Sequence, residues 1–500
     1  MHIAGALAVA GAAARAKGPP LPSTAPAGGP SALDEPAPTP PSRDLRSWLA
    51  HHRGVLLVAF AFTVMADPVS SVAYAVEAAL RALGGDLSLL PPTMGVVIGI
   101  IAVVIANYHQ LVARFPQGGG AAAAAGAAFS EGLAFVPLGA LVVDFVLTIA
   151  ISVAAGTSAI VAYYPAAHTI RVPLALGLLL LVAGLTWFGH WGRILFALMT
   201  LSFVACGSAL LISGFTRPAV SATTTAGHAH GLAFVSVMLA FPVGMALATG
   251  VEAPSSAIAQ LGQLDNDGRR FFGRVTLWLT LLVVGGLTMG LTALAVRLRI
   301  GIPPANSTQI GDVARAAGGH TLFALFQAAS AVLLLAAASS SFQAGPGLLK
   351  ALARTPRAGG SHTGILPAVL GRTNRHHTPY WAGLVYLFAA AAVIVAAGAH
   401  DQELVLFYAV AVFMSFLAGL LAMLRFSWNE RRLRWAVLNA VGSLLVAFTL
   451  GVNLVRGYPL VSLAAALLIA FAFHRLWVRA GRPRGISQAV RSAELATDEE

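Results

Sequence analysis

The stretch FTVMADPVSSVAYAVEAAL, residues 62–80, decides how the chain is read. It lies inside the first long apolar run, yet it carries Asp67, Pro68, Ser70, Ser71, Tyr74 and Glu77. A proline inside a helix leaves a carbonyl without its donor, and lipid cannot replace that donor. A carboxylate at mid-depth costs roughly 2.5–3.5 kcal/mol on insertion scales. A membrane span keeps both only where it lines a cavity or meets partners. The stretch therefore reads as two half-helices meeting at Asp67–Pro68, at a functional site.

The rest of the chain supplies the membrane. Of 500 residues, 57% are hydrophobic and 10% charged, whereas soluble domains carry about 25% charged residues. With a mean hydropathy of +0.79, the chain reads as an all-α polytopic membrane protein. A crossing takes about 20 apolar residues. Twelve such runs are read, at 54–82, 93–113, 136–163, 172–188, 194–214, 231–261, 274–298, 320–346, 380–399, 403–424, 435–454 and 458–477. Residues 1–50, rich in Ala, Pro, Gly and Ser, are expected to form a disordered cytosolic tail. Residues 479–500 are expected to form a short polar tail, with no soluble C-terminal domain.

A second break, ATGVEAPSS at 248–256, falls in span six, five spans after the first. That spacing is the mark of an inverted repeat of five plus five helices, broken in the first helix of each half. Spans one to five (54–214) form one repeat and spans six to ten (231–425) the other. Spans eleven and twelve (433–478) are additions. Prolines by themselves also kink packed membrane helices, but here both breaks carry acids.

The net charge of +12 comes mostly from arginines in short loops. Arg269, Arg270 and Arg274 follow span six. Lys350, Arg354, Arg357, Arg372 and Arg375 follow span eight, and Arg425, Arg431, Arg432 and Arg434 follow span ten. All fall on one side, and the opposite loop HDQEL (400–404) reads as acidic. The positive-inside rule then places both termini in the cytoplasm, with Arg297, Arg299 and Arg315 as exceptions. No nucleic-acid motif accompanies these arginines.

Near mid-depth stand Asp67, Asp144 and Glu252, with no Lys or Arg in the core of the spans to pair with them. Such acids are protonated or hold cations, and a cation–proton transporter does both in turn. In VVDFVLTIAISVA (142–154), Asp144, Thr148 and Ser152 recur every four residues and share one face of span three. Each hydroxyl taken singly could equally bond the carbonyl one turn back. Asp67 and Tyr74 are seven apart and share a face of span one. Thr249 lies three before Glu252, on one face if that segment is helical. Oxygen groups without imidazole or thiol suit a hard monovalent cation. The histidines lie mainly in tails and loops, such as His228, His230, His376 and His377, and read as solvated. Cys206 is the only cysteine and reads as a packing residue, so no disulfide or thiolate metal site is available. No triad, metal, cofactor or nucleotide motif emerges, and GGG at 118–120 has no GKS/T behind it. The chain does not read as an enzyme.

These residues resemble a known group. The chain is similar to the amino acid–polyamine–organocation superfamily with its LeuT-like fold, and within it to the KUP-type and KimA-type potassium–proton symporters. The likeness rests on ADPVSSVAYAVEAAL, YHQLVARFPQGGG (108–120), VDFVLTIAISVAAGTSAI (143–160), ALATGVEAPS (246–255) and LVLFYAVAVFMSFLAG (404–419), spread over roughly 54–435. The resemblance implies potassium ligands at Asp67, Tyr74 and Thr249. It implies an ion path along Asp144, Thr148 and Ser152, and proton coupling at Glu252 and Asp144. It implies a bacterial cell membrane. Pro68 after the aspartate, Ala78 in place of a second glutamate, Ala122 after the glycines and APSS after Glu252 depart from that pattern.

Two readings of function stay open on this fold. One is uptake of potassium driven by co-transported protons, with the ion between spans one, three and six. The other is a proton-coupled amino acid or polyamine permease. An acid at the first break opposes a substrate carboxylate but not a polyamine. A channel or a non-transporting sensor is a third class, for which neither a repeated filter nor an output domain is visible.

Overall fold

Apolar runs long enough to cross a bilayer must satisfy their own backbone, and helices do so. The computed structural model of the protein describes residues 53–188, 193–216, 232–262, 264–356, 362–457 and 459–483. The expectations for residues 1–50, His228, His230 and most of the C-terminal tail lie outside the described residues. Ten of the described helices are long and apolar enough to cross a membrane, and Arg53–Val64 and Tyr380–Ala396 are shorter apolar helices.

Span one is Arg53–Val64, Ala66–Ser70 and Val72–Ala82 in succession. Span two is Leu90–Arg114, span three Phe135–Tyr163, span four Arg171–Trp187 and span five Arg193–Thr216. Span six is Ala233–Gly244, a 3-10 turn Met245–Ala248 and the short helix Ala253–Ala257. Span seven is Asn266–Arg297, span nine Tyr380–Ala396, span ten Asp401–Asn429, span eleven Leu433–Val455 and span twelve Pro459–Arg479. The fold is all-α and polytopic, with the LeuT-like breaks in spans one and six.

Three elements differ from the sequence reading. A helix Gly120–Ala128 follows the glycines at 118–120. Span eight runs over Gln309–Leu352 with a kink at Gly319 (φ 67°), so a helical segment precedes the expected start at 320. Its side-chain cap, Thr308 accepting from the Gly311 N–H at 3.1 Å, starts the helix early. Between spans eight and nine a two-residue antiparallel ladder pairs Thr355 with Thr363 and Pro356 with His362.

Spans three and eight pack along each other at the centre, and span ten lies against span three. The centre is dense: Tyr74, Tyr108, Tyr386, Tyr408, Phe413 and Phe416 are all fully buried. Lipid-facing apolar side chains such as Leu180, Leu282, Phe388 and Leu444 stand exposed on the rim.

Candidate functional site

Pro68 does not unwind span one. The helix loosens at Met65 and Ser71, on either side of a five-residue piece that holds Asp67 and Pro68. Proline is tolerated in the first turn of a helix, and Pro68 is the third residue of that piece. The expected meeting of two half-helices at Asp67–Pro68 is thereby corrected to two loosened joints flanking it. The local hydroxyls stay home: Ser70 Oγ donates to the Asp67 carbonyl at 2.7 Å, and Ser71 Oγ to that of Pro68 at 2.9 Å.

Span six is the segment that opens. Thr249 is extended (φ −52°, ψ 131°) and Gly250 left-handed (φ 70°), and helix resumes only at Ala253. Thr249 and Glu252 therefore do not share a helical face, which corrects the spacing argument. Gly250 instead lays its backbone on Asp67: a Cβ built there would stand 2.7 Å from Asp67 Oδ2. The two breaks touch at this point.

The three acids are electrostatic neighbours. Asp67 and Asp144 are in electrostatic range of each other, and Glu252 is in range of both. No arginine or lysine pairs with them among the described residues. Asp67 Oδ1, Asp144 Oδ1 and Glu252 Oε2 are each buried without a hydrogen-bond partner. Asp144 is 7% exposed, while Asp67 and Glu252 are half-buried.

The hydroxyls divide. Tyr74 has Thr249 and Ser71 as side-chain neighbours and faces Asp67 and Asp144. Thr249 donates its proton to the Ala246 carbonyl at 2.6 Å, which leaves its lone pairs as acceptors. Thr148 lies 3.4 Å from the Tyr408 hydroxyl of span ten, which also neighbours Asp144. Ser152 is buried without a partner, two turns beyond Asp144, roughly 12 Å along the axis. It belongs to a line leading away from the acids, not to the same cluster.

Sequence reasoning missed three tyrosines. Tyr408 touches the Asp144–Thr148 face, Tyr386 of span nine faces Asp144, and Tyr108 of span two faces Glu252. The Tyr386 hydroxyl is buried without a hydrogen-bond partner, and that of Tyr108 has Ser415 as a side-chain neighbour. Tyr108 and Tyr408 lie in stretches that carried the resemblance, but a lone tyrosine in an apolar run reads first as packing. Among the described residues no group of three His, Cys, Asp or Glu side chains is placed to hold a metal ion.

A second buried polar network lies toward the other ends of these spans. Asp401 is not a loop acid, as HDQEL suggested, but the buried first residue of span ten. Ser158 of span three donates to Asp401 Oδ1 at 2.6 Å, and Arg171 of span four bonds Ser158 and lies 3.7 Å from Asp401. Arg171 also donates to the carbonyls of Ala399 (3.1 Å) and Ala305 (3.0 Å). Gln402 joins Asp401 at 2.9 Å to the Tyr74 carbonyl at 3.3 Å. Beside it Glu77 pairs with Arg81 at 2.8 Å and accepts from the Gln309 N–H at 2.9 Å. Burial, with the Arg171 guanidinium nearby, holds the His400 imidazole below its usual range, so it adds no charge here at neutral pH.

Of the loop histidines, His377 is exposed, but His376 is half-buried with its ring 5.9 Å from that of Phe188.

The chain is 28% identical over 413 residues to the potassium transporter KimA of Bacillus subtilis (strain 168). The match takes in 79% of this chain and 66% of that protein, so the chain spans just under two thirds of the relative's length. A crystal structure of an Eremococcus coleocola manganese transporter mutant superposes with a TM-score of 0.40 at 13% identity, over 91% of this chain and 97% of that one. A family model described as "Amino acid permease" matches residues 56–489. That match runs from the first broken span past the twelfth, and the chain belongs to the amino acid permease family.

Proposed function

We propose that the chain is a secondary active transporter that takes up a monovalent cation, potassium, with co-transported protons. The observation that carries this reading is the trio Asp67, Asp144 and Glu252: three carboxyls, each with a buried oxygen that has no hydrogen-bond partner, from spans one, three and six, with no basic partner among the described residues. Three like charges cannot stand ionised together in a low-dielectric site without compensation. A cation and a proton supply that compensation, and each can leave again.

In this reading the cation sits against Asp67, the Tyr74 hydroxyl and Thr249, whose committed proton turns its lone pairs outward. Backbone carbonyl oxygens of the turn at 249–252 complete an oxygen shell. Glu252, with Asp144, carries the proton. Asp144, Thr148 and Ser152 line the way to the site, and Tyr408 holds that line in register. The broken helices sit at mid-membrane, and rocking of one bundle against the other alternates access. The arginine-rich ends face the cytoplasm by the positive-inside rule, and the membrane is a bacterial cell membrane. The similarity to a potassium transporter supports this choice of ion.

A second reading is a proton-coupled amino acid or polyamine permease, favoured by the family's description. Expression in cells lacking potassium uptake separates the two. Growth at low potassium supports the first reading. Failure to grow, with entry of labelled amino acid or polyamine, supports the second. Asp144→Asn should lose ion binding, whereas Glu252→Gln should keep binding and lose the pH dependence of uptake. Wild-type transport in both variants would reject these site assignments whatever the substrate.

A further inference from the structure

At the arginine-rich end of the bundle, away from the three acids, a cavity of about 310 Å³ opens between spans two, seven, ten and eleven. Its size is at the lower edge of the roughly 300–1,000 Å³ typical of ligand pockets. Arg114 of span two, Arg274 of span seven and Arg432 of the loop after span ten line it, with Glu430 the only acid among its lining residues. Three guanidinium groups against one carboxylate leave an excess of two positive charges.

The pairing shows which cation is left over. Glu430 bonds Arg114 and lies 3.3 Å from Arg432. The Arg114 hydrogen bond holds the Glu430 carboxyl below the usual carboxylate range, so this one carboxylate stays ionised and is shared between two guanidinium groups, Arg114 bonded to it and Arg432 beside it, which leaves Arg432 only partly compensated. Arg114 is further fixed by lying 3.8 Å over the Phe426 ring. Arg274 takes part in none of this. Its Nε is out of contact with solvent and has no hydrogen-bond partner.

The remaining groups suit an anion. His109 Nδ1 accepts the Trp278 indole N–H at 3.2 Å, so a neutral His109 carries its own proton on Nε2 and can donate it. Trp435 lines the same cavity from the start of span eleven, partly exposed. Arginines that merely mark the cytoplasmic side have no need to converge on one cavity, nor to hide a guanidinium nitrogen without an acceptor. Planar guanidinium forks match phosphate oxygens.

We propose that this cavity is a binding site for a phosphate-bearing anion, held by Arg274, Arg432 and His109. Two sources offer that chemistry: the headgroup of an anionic lipid, since the cavity lies at the ends of the spans, and a free phosphate from the cytosol.

Thermal unfolding of the full chain in uncharged detergent tests the proposal. The arms are phosphatidylglycerol, phosphatidylcholine, and inorganic phosphate against chloride at matched ionic strength. Stabilisation by phosphatidylglycerol alone assigns a lipid headgroup, and stabilisation by inorganic phosphate as well assigns a free anion. Either response should weaken about tenfold in midpoint concentration in Arg274→Gln, the loss expected for one charge-assisted bond. It should persist in Arg479→Gln, an exposed arginine at the same end outside the cavity. If Arg274→Gln does not fold, Arg432→Gln, which alters an exposed side chain, makes the same comparison. No response beyond phosphatidylcholine and chloride, or an unchanged response in the cavity variants, overturns the proposal.

Discussion

The backbone of Gly250 rests on the carboxylate of Asp67, so close that a side chain there would meet Asp67 Oδ2 at 2.7 Å. Position 250 is also left-handed, at φ 70°. Gly250→Ala therefore adds strain of roughly 1–2 kcal/mol and displaces Asp67 as well. Uptake should fall to near background while the protein still reaches the membrane. Uptake at the wild-type rate would show that Asp67 need not stay where it is.

The Tyr408 hydroxyl is shared between Thr148 and Asp144. Tyr408→Phe leaves the packing and removes that tie, at about 1–3 kcal/mol for the groups left unpaired. A rise of about tenfold or more in the KM for the cation is expected in uptake assays. Tyr386→Phe is the contrast, because the Tyr386 hydroxyl has no hydrogen-bond partner to lose. It should unfold at the same temperature as wild type or slightly higher.

Arg171 and Asp401 are both buried, with side chains 8% and 7% exposed. Removing one partner strands the other, which costs about 3–5 kcal/mol. Arg171→Gln and Asp401→Asn should each lower the unfolding temperature markedly, and the double variant by much less than their sum. Strict additivity would mean that the two groups act apart.

Gly139 brings span three against span twelve: a Cβ there would sit 2.5 Å from the Ala466 carbonyl. That oxygen is backbone and cannot swing aside. Gly139→Val should cost about 1–3 kcal/mol or more through overpacking, read as lower thermal stability and yield. Were stability unchanged, span twelve would have to be loosely attached, against the packing described above.

The broad fold was legible because its signals are strong and local. Twelve apolar runs, and two that carry acids beside Pro or Gly, give the span number and both breaks. The manner of each break was less legible. Pro68 looked like the opening, yet proline fits the first turn of a helix, and it was Gly250 that let the chain turn. The acids were legible because a charge in an apolar run has a known cost. Tyr108, Tyr386 and Tyr408 were not, because a buried ring is ordinary and only its neighbours give its hydroxyl a task. Asp401 was misplaced for a related reason. Beside His400 it looked like loop, and its partners Ser158 and Arg171 lie 243 and 230 residues away in sequence.

The hydrogen bond from Gln402 to the Tyr74 carbonyl ties a proposed cation ligand to the Arg171–Asp401 network. Linkage makes the consequence reciprocal. If occupancy at Tyr74 favours one arrangement of that network by some factor, then locking the network in that arrangement tightens occupancy by the same factor. A chemical cross-link that fixes span ten to span four should therefore change cation affinity without touching any residue at the site.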